Sequence, residues 1–162
     1  MRQRYEQYSE LRDLLRRTGE LSAKTVIFDV EPLVAGWDSG QEALEQGVAD
    51  VAGQAAAVPG VQVVCFATNA ERRPSRLPVA GADVRVIYLS HAGKPLRTAP
   101  YRNLPAPGVV IGDQVATDGA LAWRLGYTFL QYRPRLDDVP AGPRLMGYAG
   151  RLVRPVLFTR PR

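Results

Sequence analysis

Residues 25–31 read Thr-Val-Ile-Phe-Asp-Val-Glu, and this stretch decides the fold. Its β-branched and aromatic residues predict a strand that is buried on both faces. Two carboxylates, Asp29 and Glu31, follow at the carboxyl end of that strand. Ligands of open α/β sheets bind at the carboxyl ends of the strands, and carboxylates are poor residues for ending a buried strand unless they hold a metal or do chemistry. The stretch therefore predicts a functional site as well as a strand.

Four further segments have a strand-like composition, and helical or irregular segments separate them: 61–67, 83–89, 109–111 and 127–131. Helices are predicted over 41–57 and 116–125 from their apolar spacing. Residues 2–18 place Tyr5, Tyr8, Leu11 and Leu15 at helical spacing and predict an amphipathic N-terminal helix that ends near Gly19. Strands that alternate with crossover segments predict an α/β, Rossmann-like fold with a parallel sheet of about five strands flanked by helices.

The length of 162 residues predicts one domain. We divide the chain into an N-terminal helix over 1–20 packed on the core, a core domain over 21–132 and a basic C-terminal tail over 133–162. The single cysteine, Cys65, excludes an intrachain disulfide and favours a reducing, cytoplasmic setting. We expect neither a signal peptide nor a membrane span, because the first twenty residues are charged throughout and no long apolar run follows.

The net charge of +5 comes entirely from the last thirty residues, where seven arginines face two aspartates. Such a tail suits phosphates, including an anionic membrane surface to which the protein would be peripheral, or it is simply solvated. Residues 143–158 intersperse apolar side chains with arginines, which predicts either an interfacial segment, a segment packed on the domain or a dimer contact. Nucleic-acid binding is not expected, since no helix-turn-helix, aromatic RNA platform or zinc motif is present.

Polar residues recur at the carboxyl ends of successive predicted strands, and together they suit phosphoryl transfer. A carboxylate can attack phosphorus, and Mg²⁺ held by carboxylates can neutralise the phosphate. A hydroxyl group and a lysine can hold the phosphate oxygens, and a second carboxyl group can transfer the proton. The chain offers a candidate for each part, in the order Asp29 and Glu31, Thr68 and Asn69, Lys94, and Asp113.

This order resembles the four motifs of the haloacid dehalogenase (HAD) superfamily of phosphatases. The first motif is similar to Asp29-Val30-Glu31-Pro32-Leu33, the second to Thr68, the third to Lys94 and the fourth to Gly112-Asp113 with Asp118 beyond it. The run over 112–126, with Lys94-Pro95, resembles the small uncapped branch related to phosphatidylglycerophosphate phosphatases. The resemblance covers about residues 20–132.

The resemblance implies a Mg²⁺-dependent phosphatase that acts on a phosphomonoester, a phospholipid head group being one such substrate. It makes Asp29 the nucleophile, which forms an aspartyl-phosphate, and Glu31 the general acid and base. It assigns phosphate binding to Thr68, Asn69 and Lys94. It assigns the Mg²⁺ ligands to Asp29, Glu31 (through its backbone carbonyl) and Asp113, and a supporting role to Asp118.

Two residues depart from the family pattern. Glu31 stands where a second Asp is usual, and Leu33 stands where Thr or Val is usual. The glutamate side chain is one methylene longer, and a misplacement of ~1 Å can cost on the order of 10²-fold in rate. The alternative hypothesis is therefore a catalytically impaired protein of the same fold that binds phosphate, lipid or protein.

Overall fold

The structure is a computed structural model that describes residues 5–133 and 141–158, with the backbone alone for 141–146. Within these residues, six strands form one parallel sheet. The strands are β1 Tyr5–Tyr8, β2 Thr25–Asp29, β3 Val63–Ala67, β4 Arg85–Leu89, β5 Gly108–Gly112 and β6 Thr128–Tyr132. Their order across the sheet is β1-β6-β5-β2-β3-β4, and each neighbouring pair is parallel. The α/β class, the parallel sheet and the Rossmann-like architecture without a large cap are thus confirmed for the described residues.

Helices cover both faces of the sheet. They are α1 Leu11–Glu20, α2 Gln41–Ala56, α3 Ala120–Leu125 and α4 Ala141–Leu157, with a 3-10 turn at Ala99–Tyr101 and a π-helical segment at Val115–Gly119. None of the helices in the described residues is both long enough and apolar enough to cross a membrane.

Alternate residues of each central strand enter two separate hydrophobic cores. Phe28 of β2 and Phe66 of β3 belong to the core that also contains Leu44 of α2. Ile27 and Cys65, their neighbours along the same strands, belong to the core on the opposite face, with residues of α3. This alternation is the period of two that a strand imposes on its side chains, and burial on both faces explains why these strands are continuously apolar in sequence.

The N-terminal prediction is wrong at its start. The tyrosines at 5 and 8 are spaced as a helix requires, yet residues Tyr5–Tyr8 form β1 at the edge of the sheet. Parallel pairing with β6 outweighs the local pattern, and the Tyr5 hydroxyl donates a hydrogen bond of 2.6 Å to Gln131 Oε1. The helix begins only at Leu11 and ends at Glu20, one residue past Gly19. Residues 2–4 of the prediction lie outside the described residues.

The basic tail contains a helix, α4, although glycine and proline residues such as Pro155 within it disfavour helix formation. α4 packs on the π-helical segment, where a Cβ at Gly150 would lie 3.2 Å from Val115 Cβ. Phe158, directly after α4, stacks on Tyr5 and Phe129 with ring centroids 5.5 and 5.9 Å away. Packing on the domain therefore decides the structure of this segment. Residues 134–140 and 159–162 of the predicted tail lie outside the described residues.

Gly47 makes a close contact that a test can isolate. Its Cβ, if present, would lie 1.9 Å from the carbonyl oxygen of Val34, whereas nothing lies within 4 Å of a Cβ at Gly53 in the same helix. We expect Gly47→Ala to lower the free energy of unfolding by about 1–3 kcal/mol, because the backbone at Val34 or the helix itself must move to admit the methyl group. Gly53→Ala is the control and should raise it by about 0.5–1 kcal/mol. Urea unfolding measures both, and equal effects of the two substitutions would contradict the contact.

Candidate metal centre

The site lies where the order of strands reverses. From β2 the chain proceeds outward through β3 to β4, then crosses to β5 on the other side of β2. Ligands of open α/β sheets bind at such a switch point, in the crevice beyond the carboxyl ends of the strands. Asp29 is the last residue of β2, and Asp113 follows the last residue of β5. The topology therefore brings these two carboxylates together across 84 residues of sequence.

Three aspartates form a group that could hold a metal ion: Asp29, Asp113 and Asp118. One carboxylate oxygen from each lies within 4.8 Å of the others. The Oδ1 atom of Asp113 is buried and has no hydrogen-bond partner among the described residues. A buried carboxylate oxygen without a partner is rare in folded proteins and calls for a cation or a donor. Oxygen ligands of this kind suit hard divalent cations.

Lys94 lies between two of these aspartates. Its Nζ atom is 2.6 Å from Asp29 Oδ1 and 2.7 Å from Asp118 Oδ1, and its side chain is almost fully buried. The Asn69 side chain holds the lysine backbone, since Lys94 N–H donates to Asn69 Oδ1 (2.8 Å) and Asn69 Nδ2 donates to the Lys94 carbonyl (3.0 Å). Asn69 thus positions Lys94, and the Asp118 carboxylate pairs with the ammonium group of that lysine.

The charge of the group is unbalanced. Three carboxylates around one ammonium leave two negative charges when all are ionised. Burial and then the Asp118 carboxylate raise the pKa of Asp113 to about 7. The same two causes raise the pKa of Asp29 well above its ordinary range, against the opposing effect of Lys94. A divalent cation would remove the imbalance.

Burial alone would lower the pKa of Lys94, but the carboxylates of Asp118 and Asp29 outweigh it and raise this pKa above its ordinary value. The lysine therefore stays an ammonium group within the site.

The π-helical segment Val115–Gly119 brings Asp118 back toward the end of β5. Asp118 N–H donates to the carbonyl of Gln114, and Gln114 N–H donates to Asp118 Oδ2 at 3.3 Å. A Cβ at Gly112 would lie 2.3 Å from Asp118 Oδ2, so the carboxylate needs a glycine at this position. π-helical turns are rare and frequently occur at functional sites.

Glu31 lies beside this group but is engaged elsewhere. Thr68 Oγ1 donates a hydrogen bond of 2.8 Å to Glu31 Oε2, and Arg72 Nη1 is 3.6 Å from Glu31 Oε1. The three-aspartate group therefore contains Asp118 and not the Glu31 carboxylate. The ligand role that the sequence assigned to the Glu31 backbone carbonyl stays a prediction.

Arg72 also fixes the loop that follows β2. Its guanidinium donates to the carbonyls of Gly36 and Ser39, both at 2.9 Å. Arg72 therefore ties two loops of the site together.

A cleft of about 220 Å³ opens over these side chains. It is lined by Asp29, Glu31, Trp37, Thr68, Asn69, Ala70, Arg72, Lys94, Gln114 and Thr117. Four of its polar or aromatic lining residues were not among the predicted site residues: Trp37, Arg72, Gln114 and Thr117. Gln114 and Thr117 had a sequence signal, since they belong to the same motif as Asp113 and Asp118, but Trp37 had none.

Comparison of the chain with protein-family models, with curated proteins and with solved structures found no match. Fold and site together define an α/β protein with a Rossmann-like parallel sheet and a buried group of three aspartates able to hold a metal ion.

A divalent cation should stabilise the protein through this group. A cation at 100 times its dissociation constant adds about 2.7 kcal/mol to the free energy of unfolding, or roughly 5–10 °C in Tm for a chain of this size. We expect Asp113→Asn to lose most of that shift, while the exposed Asp50→Asn keeps it. Thermal unfolding in EDTA and in MgCl₂, MnCl₂ or CaCl₂ measures the effect. Equal shifts in Tm for the wild-type protein and both variants would exclude cation binding at this group.

Lys94 should be essential to stability when no cation is present. Lys94→Met leaves buried carboxylates without their partner, and breaking a buried ion pair costs about 3–5 kcal/mol. Adding Asp118→Asn should restore part of that loss. Arg16→Met is the control, because Arg16 forms only exposed ion pairs, worth about 0–1 kcal/mol. Urea unfolding in EDTA compares the variants, and similar small losses for Lys94→Met and Arg16→Met would contradict the described pairing.

Proposed function

We propose that the protein is a Mg²⁺-dependent phosphatase of the HAD type, with Asp29 as its nucleophile. One observation carries the proposal: Asp29 belongs to the three-aspartate group, pairs with the buried Lys94 and lines the cleft at the switch point of the sheet. Those contacts give one carboxylate access to a cation, to an ammonium group and to a substrate. The buried Cys65 fits a reducing, cytoplasmic setting for this activity.

The residues present fit Mg²⁺. The ion prefers carboxylate oxygens and retains several waters, and the unpartnered Oδ1 of Asp113 offers it an oxygen that no hydrogen bond engages. Asp29 and Asp113 would hold the ion, and Asp118 would hold Lys94 beside it. When bound, Mg²⁺ supplies charge neutralisation for the substrate phosphate.

In the first half of the reaction, an Asp29 carboxylate oxygen attacks phosphorus and the bond from phosphorus to the substrate alcohol breaks, which leaves an aspartyl-phosphate. The Lys94 ammonium, 2.6 Å from Asp29 Oδ1, binds the phosphate oxygens where the negative charge lies. Thr68 and Asn69 line the same cleft. The second amide N–H of Asn69, which the Lys94 carbonyl does not accept, would orient the phosphate, and the Thr68 hydroxyl would do so once it turns from Glu31.

Glu31 would carry the proton in both halves of the reaction. As an acid it protonates the leaving alcohol, and as a base it accepts a proton from the water that attacks the aspartyl-phosphate and releases inorganic phosphate. Thr68 fixes its carboxyl group through the 2.8 Å hydrogen bond. To serve in these steps, Glu31 must turn from Arg72 toward the leaving oxygen.

The substrate would be a phosphomonoester of a bulky alcohol, since the described residues include no large cap above the cleft. A phospholipid head group is one such substrate.

A binding module is the second candidate function. The observation that favours it is the engagement of Glu31 by Thr68 and Arg72, which leaves a phosphate site with its acid group held aside. Leu33 in place of the usual hydroxyl or valine agrees with it.

Phosphate release from a broad panel of phosphomonoesters in MgCl₂ tests the proposal. We expect turnover that EDTA abolishes and that Asp29→Asn lowers by about 10³-fold or more, because no nucleophile remains. Asp50→Asn, an exposed aspartate of α2, should retain full activity. A panel without turnover, or turnover unchanged in Asp29→Asn, would overturn the proposal.

The same assay separates the two candidates through Glu31. Glu31→Gln should lower activity by about 10²–10⁴-fold if this group transfers the proton. If the wild-type protein is inactive while Glu31→Asp gains turnover, the binding module is favoured.

A further inference from the structure

Helix α4 carries apolar side chains on its outer face as well as on the face that packs. Gly150 lies against Val115 of the π-helical segment, and Leu157 packs on the core beneath. Tyr148, Leu152 and Val156 are exposed over 63%, 79% and 80% of their surfaces. These three residues follow one another at intervals of four, so they form a single stripe along one side of the helix. We call Tyr148, Leu152 and Val156 the outer stripe.

The outer stripe points away from the domain. At 100° per residue, Leu152 lies about 160° around the helix from Gly150, the residue at the packing contact. Core packing therefore does not account for its apolar side chains.

Arg151 borders the outer stripe, and its guanidinium lies over the Tyr148 ring, 5.3 Å from the centroid. Arg154 lies only about 40° around the helix from Gly150, and its guanidinium lies over Tyr5 of the domain at 5.6 Å, on the packing side. The segment 133–162 that contains α4 has seven arginines and two aspartates. An exposed apolar stripe bordered by an arginine, within a segment of net positive charge, is typical of helices that lie in the interface of anionic membranes.

We propose that the outer stripe of α4 binds the surface of an anionic lipid membrane, with the helix lying flat in the head-group region. The helix is already docked on the domain, so its outer face is presented without rearrangement. Leu152 and Val156 would enter the acyl boundary, and Arg151 would contact lipid phosphate. The proposal stands apart from the phosphatase proposal, since none of its residues lines the cleft.

Charge and chemistry favour lipid over a second copy of the chain and over a nucleic acid as the partner of the outer stripe. A second copy of the chain would bring two arginine-rich helices together, and like charges across an interface disfavour association. A nucleic acid would engage the arginines but gives aliphatic side chains such as Leu152 and Val156 no comparable partner, because its affinity rests on phosphate contacts.

Co-sedimentation of the full chain with vesicles tests the proposal. One set contains phosphatidylcholine alone, and the other contains phosphatidylcholine and phosphatidylserine in equal parts. We expect binding to the anionic vesicles that is at least about tenfold stronger than to the neutral ones, and that weakens as salt is raised.

Two variants separate the apolar from the charged contribution to binding. The double variant Leu152→Gln/Val156→Gln keeps the net charge and should weaken binding by about tenfold or more. Arg151→Gln should weaken it about fivefold. Val79→Gln is the control, because Val79 is 92% exposed elsewhere on the surface and should leave binding unchanged.

Several outcomes would overturn the proposal. They are equal binding to both kinds of vesicle, binding to neither kind, and binding that the double variant leaves unchanged. If the wild-type protein is a dimer in light scattering, the double variant is a monomer, and neither binds vesicles, the outer stripe contacts a second copy of the chain instead. Binding to duplex DNA with no binding to anionic vesicles would assign the segment to nucleic acid.

Discussion

The buried ammonium group of Lys94, held between Asp29 and Asp118, is the interaction on which the rest of the site depends. A lysine with so little solvent stays charged only because two carboxylates face it, and each carboxylate would be unpaired without the lysine. Asn69 fixes the lysine backbone with two hydrogen bonds, and Gly112 leaves the space that Asp118 fills. Residues from four separate segments thus share one constraint, which is to keep these three charges in contact.

Much of this arrangement follows from the sequence. The central strands are recognisable because burial on both faces makes them continuously apolar, and their parallel direction places Asp29 and Asp113 on one edge of the sheet. The sequence is less informative where tertiary contacts override local patterns. Tyr5 and Tyr8 fit a helical spacing, but pairing with β6 makes them a strand. Glycines and a proline argue against α4, but the close approach at Gly150 is what packs the helix on the domain.

The composition of the three-aspartate group shows that sequence patterns are equally uninformative about the position of a single side chain. The resemblance implied Asp29, Asp113 and the backbone carbonyl of Glu31 as metal ligands, and it gave Asp118 a supporting role. Asp118 joins the three-aspartate group because the π-helical segment folds its side chain back beneath Gly112. Nothing in the local sequence distinguishes that turn from the start of an ordinary helix. The direction of the Glu31 side chain is likewise set by Thr68 and Arg72, which come from a different loop.

The site therefore has two electrostatically different halves. Glu31, Thr68 and Arg72 form a half whose charges are matched, although the buried Glu31 Oε1 atom, 3.6 Å from Arg72, has no hydrogen-bond partner among the described residues. Asp29, Asp113, Asp118 and Lys94 form a half with surplus negative charge, in which burial and mutual repulsion raise the pKa of Asp113 to about 7. Apolar residues of similar volume would serve stability as well or better at such positions, so stability does not explain three buried aspartates around one lysine. The group could hold a metal ion, and its Asp29 and Lys94 line a cleft. Perturbed carboxylates in such a setting are more typical of a functional site than of a structural one.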